Sequence, residues 1–130
     1  MNTKETGNLG EEIATKYLKD RGYRILDKNY IFRIPGNPQK GEVDIIAKKD
    51  GVISFIEVKT LQSKGFSKIF SPEDKVNFLK RKKIRKTAEY WLIKNKIPLD
   101  SKWQIDTLAI TISSLNKETE IRYFKNIAAY

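Results

Sequence analysis

Two carboxylates and a lysine are the residues of this sequence best suited to chemistry. Asp44 stands thirteen residues before Glu57, and Lys59 follows two residues later. They interrupt a stretch otherwise composed like a buried β-hairpin: Val43, Ile45, Ile46, Val52, Ile53, Phe55, Ile56 and Val58. Ionised groups avoid dry surroundings unless something pairs with them. A divalent cation and a phosphate would make the grouping favourable. Two carboxylates can share one hard cation. Such a cation polarises a phosphoryl oxygen and acidifies a bound water. A lysine beside it can stabilise developing phosphorane charge or orient the attacking water. Together they form a minimal kit for phosphodiester hydrolysis.

The elements that must position these groups begin with a hairpin. Asp50-Gly51 between two apolar runs is a strong signal for a two-residue turn. That turn pairs Lys49 with Val52, Ile46 with Phe55, Asp44 with Glu57 and Glu42 with Lys59. Directly opposed residues lie about 5 Å apart at Cβ. Strict alternation then puts Glu42, Asp44, Glu57 and Lys59 on one face. It puts Val43, Ile45, Ala47, Ile56 and Val58 on the other, an apolar surface for a helical layer. The same charges could instead line a solvent-facing strip, with Glu42–Lys59 and Asp44–Lys59 cross-strand pairs worth about 0–1 kcal/mol.

Around the hairpin, Leu9, Ile13, Tyr17 and Leu18 fall at helical spacing, with Ala14 beside them and Gly22 as a stop. This predicts a helix over about residues 6–21. Tyr23 to Ile34 reads as extended, with a bend at Asp27-Lys28-Asn29, and Pro35-Gly36-Asn37-Pro38 reads as a turn. Residues 60–71 read as a loop. Ser71-Pro72-Glu73-Asp74 has the form of a helix start. That second helix should run to about Lys96, with Ile84, Ala88, Trp91 and Leu92 as its apolar stripe. Gln104–Ser113 and Glu120–Lys125 read as strands. The order α-β-β-β-α-β-β predicts a mixed α/β domain with helices covering a sheet.

The chain has 130 residues, which suggests one domain spanning 1–130 and large enough for its own core. It contains neither cysteine nor histidine. Disulfides, thiolate chemistry, Ser-His-Asp catalysis and histidine-ligated zinc are thereby excluded. A metal must be held by oxygen, which favours magnesium, manganese or calcium. The net charge of +10 points to a polyanionic partner, with nucleic acid the first choice and an anionic membrane surface the second. The polar start lacks a signal peptide's apolar core, and no run approaches the roughly 20 apolar residues of a membrane span. A cytoplasmic location is expected.

Six of the seven residues from Lys80 to Lys86 are cationic: Lys80, Arg81, Lys82, Lys83, Arg85 and Lys86. On a helix they would cover more than half the circumference and leave Ile84 to face inward. Such a surface can neutralise several phosphates without reading bases. It could equally be a solvated helical face or a localisation signal. Lys64 and Lys68 could extend the path. Trp91 and Trp103 are expected in the core rather than as stacking platforms.

Gly41-Glu42-Val43-Asp44-Ile45-Ile46, followed by Phe55-Ile56-Glu57-Val58-Lys59, resembles the core of the PD-(D/E)xK nucleases of the restriction-endonuclease-like superfamily. More closely, the chain resembles the YraN-like family of uncharacterised proteins, relatives of archaeal Holliday junction resolvases. The likeness spans nearly the whole chain. It includes Gly7 through Leu18 with Glu11, Val76 through Lys80, Ala88 through Leu92, and Ile105 through Ala109. Val43 replaces the proline that gives the motif its name. The resemblance implies a restriction-endonuclease-like three-layer fold with a central mixed sheet and a magnesium-dependent (or manganese-dependent) nuclease site. It also implies a homodimer. Asp44, Glu57 and Lys59 match the catalytic acid, acid and lysine, and Glu11 matches an additional helical acid. The Val58 carbonyl is a third expected metal ligand. The expected function is hydrolysis of DNA, branched or single-stranded. The alternatives are a noncatalytic nucleic-acid-binding module on the same fold and an adaptor for an acidic protein. Asp106 is left outside the expected site.

Overall fold

The computed structural model describes residues 2–33, 35, 36, 38, 40–63 and 78–125, without the side chains of residues 63 and 78–81. The first helix, α1, spans Thr3–Asp20. It starts three residues earlier than its apolar spacing suggests, because Asn2 and Glu5 form a capping box. The Asn2 Oδ1 accepts from the Glu5 N–H at 2.8 Å, and the Glu5 Oε1 accepts from the Asn2 N–H at 3.1 Å. The helix ends as expected at Gly22, whose φ of 88° is left-handed. Beyond it the Tyr23 N–H reaches back to the Leu18 carbonyl at 3.0 Å.

Strands β1 (Arg24–Arg33), β2 (Lys40–Lys49) and β3 (Val52–Ser63) follow, then α2 (Phe78–Lys94), β4 (Trp103–Ser113) and β5 (Thr119–Phe124). The expected order α-β-β-β-α-β-β is the observed one. The five strands form one sheet in chain order. Neighbours are antiparallel except β3 and β4, which run parallel. Connecting parallel neighbours needs a crossover, and the chain segment containing α2 supplies it.

Helices cover both faces. Ala14 and Leu18 of α1 pack with Ile45, Ala47, Ile56, Leu108, Ile110 and Ile112. On the opposite face, Ile84, Ala88, Trp91 and Leu92 of α2 pack with Val43, Ile46, Ile53, Phe55 and Ile105. The Trp91 and Phe55 rings meet edge-on with centroids 5.7 Å apart. Trp91 is thus a core residue, and its indole N–H donates to Asp27 at 3.1 Å. Trp103 packs half-buried against the same cluster.

The structure differs from the expected loop over residues 60–71. Residues 60–63 continue β3, paired in parallel with Ile110 through Ser113. Their polar composition hid a strand whose ladder partners lie some 50 positions away in sequence, as the pairing of Thr60 with Ile110 illustrates. Residues 64–71 lie outside the described residues, as do Lys64, Lys68 and the Ser71-Pro72-Glu73-Asp74 helix start. At Asp27-Lys28-Asn29 the chain does not break. The β1–β2 register shifts between Ile25 and Asp27, and Asn29 takes a φ of 53°, so the bend is an irregularity inside one strand.

Two glycines let the layers approach closely. A Cβ on Gly10 would overlap the Thr60 hydroxyl, and one on Gly41 would overlap the Thr87 hydroxyl. Gly10 therefore sets how near α1 lies to β3. Gly10→Ala is expected to lower stability by about 1–3 kcal/mol through overpacking, although alanine is the better helix former by roughly 1 kcal/mol. Thermal unfolding checks this. Adding Thr60→Ala should restore part of the loss, and a Gly10→Ala protein as stable as the parent would contradict this packing.

Candidate functional site

The Asp50-Gly51 turn has φ of 52° and 78°, the left-handed pair that a type I′ turn demands. It fixes the expected register, with Lys49 opposite Val52, Ile46 opposite Phe55 and Ile45 opposite Ile56. Beyond Ile45 the side chain of Asp44 intervenes. Its Oδ2 accepts a hydrogen bond from the backbone N–H of Val58 at 2.7 Å. The carboxylate thus occupies a place that a β2 backbone carbonyl would fill in a continuous ladder.

Alternation also breaks here. Val43 packs with α2 whereas Ile45, two residues on, packs with α1. Val43 therefore does not join Ile45 and Ala47 on one face, as strict alternation would require. In β3, Phe55 faces α2, while Ile56 and Val58 face α1. The same alternation places Glu57 and Lys59 towards the α2 side. Asp44 instead lines a cavity on the α1 side with Glu11, Val58 and Thr60. Of the four expected catalytic residues, Glu11 and Asp44 thus lie together on the α1 side, whereas the alternation of β3 sets Glu57 and Lys59 on the opposite face of the sheet.

Charge and burial act on Asp44 together. Its pKa is pushed up from 3.8 to about 6, chiefly by burial, and further by the negative charges of Glu11, Glu57 and Glu42. The Val58 N–H opposes the rise. Glu57 is only 8% exposed. Its Oε1 lies 3.1 Å from the Lys59 ammonium, which compensates a buried negative charge. Glu42, expected opposite Lys59, is exposed and pairs with Lys40 at 3.4 Å. On β4 the register partner of Glu57 is Thr107, whose buried hydroxyl has no hydrogen-bond partner among the described residues.

The donor set is carboxylate and carbonyl oxygen. Among the described residues no group of three or more acids forms a ready cage for a metal ion. Two carboxylates and a backbone carbonyl suit magnesium, which keeps several of its waters and takes few protein ligands. By donor type alone, Asp44, Glu57 and the Val58 carbonyl are the groups that would hold such an ion. A half-buried carboxylate with a raised pKa and further acids around it is a place where a cation would be favourable.

Of the basic run, Lys82, Lys83, Arg85 and Lys86 are exposed on α2 and Ile84 is buried, as its helical position requires. The Arg85 guanidinium lies 5.6 Å from the centre of the Trp103 ring. The side chains of Lys80 and Arg81 lie outside the described residues.

Sequence reasoning missed a buried network beneath the site. Asp106 is fully buried and is the register partner of Ile56, the residue before Glu57. The Tyr123 hydroxyl donates to its Oδ2 at 2.6 Å, and the Gln104 amide donates to its Oδ1 at 3.0 Å. Burial and the neighbouring Asp106 carboxylate hold the Tyr123 phenol protonated, far above its ordinary range. The available signal was an aspartate and a threonine inside the otherwise apolar run Ile105-Asp106-Thr107-Leu108-Ala109.

Among the described residues no helix is long and apolar enough to cross a membrane. The family model described as "Uncharacterised protein family UPF0102" matches residues 10–110, which include all four expected catalytic residues. A UPF0102 protein of Alkaliphilus oremlandii is 37% identical over 123 residues, covering 95% of this chain and 97% of the relative. UPF0102 proteins of Clostridium botulinum strain 657 and of Clostridium tetani are likewise 37% identical over 123 residues, with 93% of each relative covered. The chain belongs to uncharacterised protein family UPF0102, the YraN-like family that its motifs resemble.

Proposed function

We propose that this protein is a divalent-metal-dependent nuclease that hydrolyses phosphodiester bonds in branched or single-stranded DNA. The observation that carries the reading is Asp44, a carboxylate with its pKa raised to about 6 where β2 meets β3, with Glu11 and Glu57 close enough to add to that rise. Asp44, Glu57 and the Val58 carbonyl would hold magnesium or manganese. When bound, the ion would supply Lewis-acid polarisation of the phosphodiester and acidify a water.

The chain's own groups have distinct tasks in this reading. The Val58 N–H orients Asp44. Lys59, paired with Glu57 at 3.1 Å, would turn its ammonium to the charge that develops on phosphorus. Glu11, on α1 beside Asp44, would orient the attacking water. Lys80, Arg81, Lys82, Lys83, Arg85 and Lys86 would draw in the phosphate backbone and fix its path without selecting sequence.

The test incubates purified protein with single-stranded, duplex and four-way-junction DNA, with magnesium, manganese or a chelator. Metal-dependent cleavage, lost in Asp44→Ala and Glu57→Ala, is expected. Salt-sensitive binding without cleavage on any substrate would identify a noncatalytic binding module instead. Absence of binding at low salt would leave an adaptor for an acidic protein.

A further inference from the structure

We propose that the cavity at the start of α1 is a nucleoside subsite, receiving the sugar and base of one unpaired nucleotide next to the scissile phosphodiester. The inference rests on the nuclease reading and deepens it by naming what lies beside the cut. The cavity measures about 600 Å³. That is within the range of pockets that enclose a small organic ligand. Asn2, Thr3, Thr6 and Gln62 line it together with the acids Glu11 and Asp44. Among the described residues, no lysine or arginine lines it. A phosphate deep in this space would face two carboxylates. Hydroxyl and amide groups instead match the neutral donors and acceptors of a nucleoside.

Gly7 carries the argument. A glycine inside a helix weakens it relative to alanine, so a packing or functional reason is expected. At Gly10 packing supplies the reason, because an added Cβ would overlap the Thr60 side chain. At Gly7 an added Cβ would have nothing within 4 Å among the described residues, and the backbone there is not left-handed. Gly7 lines the cavity and lies one turn before Glu11 on the same face of α1. Any side chain at this position would enter the space in front of Glu11. Glycine keeps that space open, and the chain forgoes helix stability to do so.

A base inside a duplex is stacked and paired, and reaches a pocket only after extrusion. A cavity of this chemistry beside the reacting phosphodiester therefore favours substrates with an unpaired strand at the cut: a single strand, a fork or a branch.

The test is fluorescence anisotropy without divalent metal, so that nothing is cleaved. The probes are a labelled single-stranded oligodeoxynucleotide and a duplex of the same sequence. Gly7→Phe should fill the cavity and weaken single-strand binding about tenfold while changing duplex binding less than about twofold. Because open space and a helix surround Gly7, the variant should unfold at no lower temperature than the parent. If it does not fold, Gly7→Ala and Gln62→Ala make the same comparison with smaller selective losses. Unchanged single-strand affinity in folded variants would overturn the subsite, as would an equal loss on both DNAs. If the parent protein binds neither DNA, the nuclease reading fails and the subsite with it, which distinguishes the two failures.

Discussion

Asp44→Asn should stabilise the metal-free protein while reducing cleavage at least about 10³-fold, the scale expected when a group acting in the transition state is lost. Both effects follow from one carboxylate. Its pKa is raised from 3.8 to about 6. A carboxyl group with a folded pKa above its unfolded value costs nothing when protonated in both states. The cost grows as pH rises from about 4 to about 6 and is fully present at pH 8. At about 1.4 kcal/mol per pKa unit, less an allowance for partial solvent screening, ionised Asp44 costs on the order of 2 kcal/mol. Asparagine removes the charge and can still accept from the Val58 N–H. Its melting temperature should exceed the parent's by roughly 5–10 °C at pH 8. The two should converge near pH 4. A variant no more stable than the parent at pH 8 would show that Asp44 is not strained by its surroundings. A stabilised variant that still cuts would remove it from the active site.

Neutralising the exposed cations of α2 should have the next largest effect. Lys82, Lys83 and Lys86 point to solvent around a helix whose Ile84 is buried. If each meets one phosphate, the triple alanine variant releases three fewer counterions. The slope of log affinity against log salt should then become shallower by about 2.7, and affinity near 0.15 M salt should fall roughly 10²-fold. The loss should be similar for every base sequence, because these contacts position the backbone without reading it. Measuring binding across a salt series separates this from a folding defect, which would not change the slope selectively. An unchanged slope would mean that α2 is a solvated surface and that nucleic acid, if bound, lies elsewhere.

Much of this was legible in the residues because local signals carried it. Asp50-Gly51 specified its own turn and so the pairing of Ile46 with Phe55. The spacing of Ile84, Ala88, Trp91 and Leu92 gave the buried face of α2. What could not be read locally depended on distant partners. The strand character of residues 60–63 comes from parallel pairing with β4, which periodicity cannot reveal. The expected single face for Glu42, Asp44, Glu57 and Lys59 assumed an unbroken ladder. Instead, the Asp44 carboxylate takes the Val58 N–H, and Val43 and Ile45 face opposite layers. Asp106 was visible as a carboxylate in an apolar strand. Its partner Tyr123 comes from another strand, and only the sheet brings the two to 2.6 Å.

The central claim, that Asp44 and Glu57 together hold a catalytic divalent ion, is tested most directly by titrating manganese into the protein under electron paramagnetic resonance. The prediction is loss of the free-ion signal at one manganese per chain in the parent protein. Folded Asp44→Asn and Glu57→Gln should each bind far more weakly, and a Lys82, Lys83 and Lys86 triple alanine variant should bind as the parent does. A folded parent that leaves the free-ion signal intact would contradict the claim, as would binding indifferent to both carboxylate substitutions.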